Sequence, residues 1–135
     1  MLKLVCALVG RKGNAFSVKI DANESVADLK EQIKKKNESD LKAFDADMLN
    51  LFLARKGDSW LPHDDPAALQ LKEGKVHNDI QTLVNGQKMK ATRRIGDVLQ
   101  ANDMTERRAL KPGQIHVLSF KVVYGILSDC FPIFG

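Results

Sequence analysis

A chain of 135 residues fits one domain and is long enough to bury a real core. Its 44% hydrophobic and 28% charged residues are those of an ordinary globular protein, and no stretch is long enough to span a bilayer. The net charge of +4 is mild and spread out, with one cluster at Lys34-Lys35-Lys36, so nucleic-acid binding is permitted but not indicated.

Met1-Leu2-Lys3 followed by Leu4 to Val9 has the outline of a charged n-region and a short apolar h-region. Gly10-Arg11-Lys12-Gly13 stands where a small-residue cleavage site is wanted, however, and the run reads as a first strand covered on at least one face. Gly10 to Asn14 supplies turn chemistry. Phe16, Val18 and Ile20 then alternate with Ser17, Lys19 and Asp21 as a second strand, completing a hairpin. Ser25-Val26-Ala27-Asp28 carries a capping box with Ser25 as N-cap. Val26, Leu29 and Ile33 follow at helical spacing, with Lys30, Glu31, Lys34 and Lys35 pointing outward. The spacing predicts a helix over Ser25 to Asn37, and a helix this short needs a surface such as the hairpin to pack on.

Leu49-Asn50-Leu51-Phe52-Leu53-Ala54-Arg55 is the most apolar run of the central chain. Alternation puts Leu49, Leu51 and Leu53 on one face and Asn50, Phe52 and Ala54 on the other, as in a half-buried strand. Trp60-Leu61-Pro62 is an apolar anchor after it. Asp64-Asp65-Pro66 places a capping acid before a first-turn proline, so a short helix is expected from Pro66 to about Leu71, ended by Gly74. Ile80, Leu83 and Val84 suggest a second, closed by Asn85-Gly86; Ile95, Val98 and Leu99 suggest a third. Ile115 to Leu118 reads as a closing strand.

The residues offer little catalytic chemistry. Cys6, in an apolar run, reads as a buried free thiol, and Cys130 sits at the opposite end of the chain. His63, His77 and His116 have no ligand spacing, so no metal or cofactor is expected. His63-Asp64-Asp65 is the nearest approach to a reactive cluster, and a turn with a helix cap explains it better. With no nucleophile pairing or phosphate loop, no enzyme and no small-molecule substrate are expected.

The order hairpin, helix, strand resembles the ubiquitin-like β-grasp. Leu8-Val9-Gly10 resembles ubiquitin's first turn, Ser25 to Ile33 its helix, Leu51 to Lys56 its third strand, and Gly113 to Leu118 its final strand. The resemblance implies an α+β fold, a ubiquitin-like β-grasp with inserted short helices, closed by parallel pairing of first and last strands. The chain lacks a terminal Gly-Gly, which argues against a covalent modifier.

Leu49-x-Leu51-Phe52-Leu53-Ala54-Arg55 also resembles the Leu-x-Leu-Phe-Leu-Ala-Lys motif of the Crinkler effectors of oomycete plant pathogens, with Arg55 for Lys. Trp60-Leu61 and His116-Val117-Leu118 fill the places of that family's Trp-Leu segment and of its His-Val-Leu-Val-x-x-Pro junction motif. Ser119 replaces the second Val and the proline is missing. The resemblance covers roughly residues 1–120 and implies a ubiquitin-like N-terminal domain, with 56–111 as a helical elaboration and 121–135 as a short apolar tail without an effector domain. It further implies secretion and translocation into the plant host cell, where the family's attached domains usually act in the nucleus. The partner implied is a host or secretory-pathway protein.

The alternative function is a ubiquitin-like interaction module binding through its sheet face. Alternation assigns Leu51, Leu53, Ile115 and Val117 to the helix-covered face, and Phe52, His116 and Leu118 to the opposite face. In ubiquitin the matching outward positions form the main partner-binding patch. Two readings stand at this point: an open apolar face, or one closed over by the segment around Trp60 or by the tail after Lys121.

Overall fold

The opening hairpin forms where the alternation places it. In the computed structural model, which describes residues 2–42, 45–57, 59–86, 88–101 and 113–121, β1 (Leu2–Leu8) pairs antiparallel with β2 (Phe16–Ile20), Leu4 lying opposite Val18. Helix α1 (Val26–Lys36) follows. Ser25 and Asp28 complete the capping box reciprocally, and Lys34, Lys35 and Lys36 occupy the last turn. Val26, Leu29 and Ile33 are buried as their spacing requires. Lys30 departs from expectation: it is buried rather than outward, as its long aliphatic stem permits.

A short α2 (Glu38–Leu41) and a 3-10 turn (Ala46–Met48) lead into β3 (Leu49–Leu53). The chain then makes a small hairpin of β4 (Arg55–Lys56) and β5 (Ser59–Pro62), turning at Gly57 with φ of 63°. Three short helices follow: α3 (Pro66–Lys72), α4 (Asn78–Val84) and α5 (Ile95–Ala101). Asp65 caps α3 by accepting from the Ala67 N–H, with Pro66 in the first turn. Last come β6 (Gln114–Ile115) and β7 (Val117–Lys121).

The main sheet has the order β2-β1-β7-β3. β7 runs parallel to β1, pairing Cys6 with Val117 and Leu8 with Ser119, and antiparallel to β3. A second sheet, β4-β5-β6, branches from it. This is a mixed α+β architecture in which a parallel pair near the centre joins distant parts of the chain. On one face α1 packs against Leu4, Cys6, Leu49, Leu51, Leu53 and Val117. On the other, α3 and α4 lay Ala67, Ala68, Leu71 and Ile80 over Ala7, Val9, Phe52, Ile115 and Leu118.

Backbone contacts fasten the inserted helices to the sheet. Gly74, with φ of 81°, ends α3 against the β1–β2 loop, where a Cβ would stand 3.1 Å from the Lys12 nitrogen. Gly13 donates to the Lys72 carbonyl in the same place, at 2.9 Å. Met89 donates to Leu51 at 2.8 Å, covering the outer edge of β3. The Arg93 and Ala91 carbonyls accept from the Val26 and Ala27 N–H groups at 2.8 and 3.0 Å, satisfying donors that the first turn of a helix leaves without an intrahelical partner. Cys6 is free and buried, and burial pushes its thiol up to about 12. Cys130 and the tail at 122–135 lie outside the described residues.

Candidate functional site

The two sequence motifs meet. β3 and β7 lie side by side in a register that sets Leu53 opposite Val117 and Phe52 opposite Leu118. One step further, the Ala54 N–H donates to the His116 carbonyl at 2.9 Å, and the Ala54 carbonyl accepts from Leu61 at 2.9 Å. The run from Leu49 to Arg55 and the run from His116 to Leu118 are therefore hydrogen-bonded neighbours, at the point where the two sheets part. Leu49, Leu51, Phe52, Leu53 and Ala54 are all buried, while Arg55 is half-buried.

His116 organises this junction. It lies between β6 and β7, and its backbone N–H donates to the Val5 carbonyl at 2.8 Å. Its ring returns the contact: Nδ1 accepts from the Val5 N–H at 2.9 Å. A backbone N–H can only donate, so Nδ1 is unprotonated, and Nε2 carries the proton toward Gln114 Oε1 at 3.2 Å. The Trp60 ring and the imidazole meet edge to face, centroids 5.0 Å apart. Burial pushes the His116 pKa down to about 4.

The face assignments need two corrections. Ile115 joins Phe52 and Leu118 rather than Val117, because His116 interrupts the ladder and shifts the alternation by one residue. The open partner face at Phe52, His116 and Leu118 is also corrected. Phe52 is 5% exposed and the other two 0%, so these side chains offer no surface. The cover comes from α3 and α4; Trp60 itself packs with the α1 side of the core.

The remaining candidates are structural. His63 Nδ1 lies 2.8 Å from the Gly113 carbonyl. Asp65, the cap of α3, is also paired with Lys56, whose hydrogen bond holds its carboxyl below the usual range. His77 caps α4 by accepting from the Asp79 N–H. Among the described residues no three His, Cys, Asp or Glu side chains gather to hold a metal, and no helix is long and apolar enough to cross a membrane. Sequence reasoning missed Lys88, Lys90 and Arg93, which line a cleft with Arg55. Their close spacing was the available signal, but nothing local ties it to Arg55.

Fold and motif placement define a small α+β domain whose signature residues are built into its core. A profile of the Crinkler effector protein N-terminal domain matches residues 2–119. The chain is 57% identical over 121 residues to Crinkler effector protein 63 of Phytophthora sojae, covering 87% of this chain and 27% of that protein. It is 31% identical over 142 residues to Crinkler effector protein 16 of Phytophthora infestans, covering 87% of this chain and 23% of that protein. Against Crinkler effector protein 4 of Phytophthora capsici the identity is 36% over 120 residues, covering 87% and 25%. The chain belongs to the Crinkler effector N-terminal domain family. It spans about a quarter of the length of these three relatives.

Proposed function

We propose that residues 1–120 form the non-catalytic N-terminal module of a secreted Crinkler-type effector, mediating secretion and translocation into plant host cells. This module is read as a ubiquitin-like β-grasp with residues 56–111 as its helical elaboration; the parallel β1–β7 pair crossed by α1 supports that reading. A partner would be a host or secretory-pathway protein, met through a surface other than the sheet face that α3 and α4 cover.

The observation that carries the proposal is the pairing of the two family motifs, β3 against β7 and Ala54 against His116, inside the core. Residues buried this way act by holding the domain together, so the delivered unit is the folded domain. A reporter fused after the chain and expressed by the pathogen tests this. The native domain carries the reporter into plant cells. Leu51→Ala, which opens a cavity costing about 2–5 kcal/mol, loses delivery in step with lost folding. Arg55→Ala is the companion variant, with its melting temperature measured alongside. Entry no better than that of the reporter alone would overturn the proposal.

A further inference from the structure

Arg55 opens onto a cleft of about 390 Å³ whose other cations are Lys88, Lys90 and Arg93. Among the described residues no carboxylate lines it. That is unlike the second cleft, about 270 Å³, where Glu31 and Glu38 balance Lys34 and Lys35. The whole chain is close to charge parity, with 21 basic and 17 acidic residues. Like charges gathered round one concavity repel unless an anion enters. Among the described residues Lys88, Lys90 and Arg93 take part in none of the ion pairs, and the Arg93 guanidinium reaches the Asp97 backbone carbonyl at 3.5 Å.

The backbone beneath these side chains is fixed from two directions. Met89 is bonded to β3 through Leu51, and Arg93 to the first turn of α1 through Val26. The cations are thus carried on anchored chain, which lowers the ordering cost of binding. Leu83 and Met89 add apolar lining between them. The volume lies in the range of small-ligand sites, roughly 300–1,000 Å³. Guanidinium groups grip phosphate in bidentate fashion, while ammonium groups act as point charges. A lining that holds both apolar and cationic side chains suits a ring that offers a carbon face together with phosphate groups. A polymer strand would need a longer basic track.

We propose that this cleft binds a small ring compound bearing several phosphate groups, a cyclitol or sugar polyphosphate, either free or as the headgroup of a lipid. Inositol trisphosphate is the probe, titrated calorimetrically into the full chain. Saturable, salt-sensitive binding is expected. Lys88→Glu combined with Arg93→Glu weakens it by about tenfold or more, while Lys34→Glu with Lys35→Glu, the same charge change at the other cleft, leaves it within about twofold, as charges there are screened. Melting curves confirm that both variants fold. No saturable binding, or equal weakening by the two pairs, overturns the proposal. Phosphatidylcholine vesicles with and without phosphatidylinositol bisphosphate then separate the sources. Retention on the phosphoinositide vesicles that inositol trisphosphate competes away assigns the lipid headgroup, and absence of retention assigns the free compound; each is consistent with the site.

Discussion

Acidification should weaken this fold through His116. The ring is fully buried and accepts the Val5 N–H at Nδ1, a contact that protonation abolishes by turning the acceptor into a donor. Its pKa is held down at about 4, against 6.5 for the free side chain. Between those values the unfolded chain binds a proton that the folded chain refuses. Stability from this group is therefore complete above pH 6.5, falls as the pH drops toward about 4, and changes no further below that. The difference corresponds to roughly 3 kcal/mol at about 1.4 kcal/mol per unit, a large share of the 5–15 kcal/mol typical of a domain. Urea midpoints at stepped pH measure it, with His116→Asn as reference. The variant starts from a lower stability because it loses the ring, but the stability it loses across this window should be smaller by roughly 3 kcal/mol. Every contribution other than that of His116 is common to the two proteins and cancels. Parallel slopes for the two proteins would refute the reasoning.

Phe52→Ala should cost about 3–5 kcal/mol, since Phe52 lies under α3 and α4 and its removal leaves a cavity; a loss within about 0.5 kcal/mol would mean that the face is open. Ser25→Ala removes one half of the capping box and should lower the urea midpoint by the equivalent of about 1 kcal/mol, with an unchanged m-value. Gly74→Ala should cost about 1–2 kcal/mol for the left-handed backbone alone, and more because the added methyl meets the Lys12 backbone. The Asp65–Lys56 pair acts in a lower window than His116. Asp65 is held below its ordinary 3.8, so its contribution is present above that value and lost as the pH falls through the folded one; Asp65→Asn should flatten only that most acidic part of the curve.

Much of the architecture was legible because its signals are local. The Ser25–Asp28 box, the Asp65-Pro66 start and the Phe16–Ile20 alternation each depend on neighbours within a few residues, and each element lies within about a residue or two of its expected place. No local signal announces α2 or the turn at Ala46–Met48, since no side-chain cap marks either of them. β5 reads as an apolar anchor rather than a strand because Trp60 and Leu61 are both buried, one in each cluster, which erases the alternation that reveals a strand. The shift at His116 was invisible for another reason. It depends on a ring standing in for a carbonyl across 111 positions, which no periodicity records. The covered face and the cationic cleft were hidden likewise, since both join segments that are distant along the chain.

The parallel β1–β7 pair also decides how the domain answers force. Leu2 begins β1 and Lys121 ends β7, so tension applied through these two ends pulls parallel neighbours past one another. The bonds around Cys6–Val117 and Leu8–Ser119 are then loaded together, in shear. Tension through Leu49 and Lys121, which face each other across β3 and β7, would peel an antiparallel pair one bond at a time. Single-molecule stretching should give the higher rupture force for the first attachment, and equal forces would contradict this picture. A force that threads the domain by its N-terminus against a hold after residue 121 would load this parallel pair in shear rather than peel it.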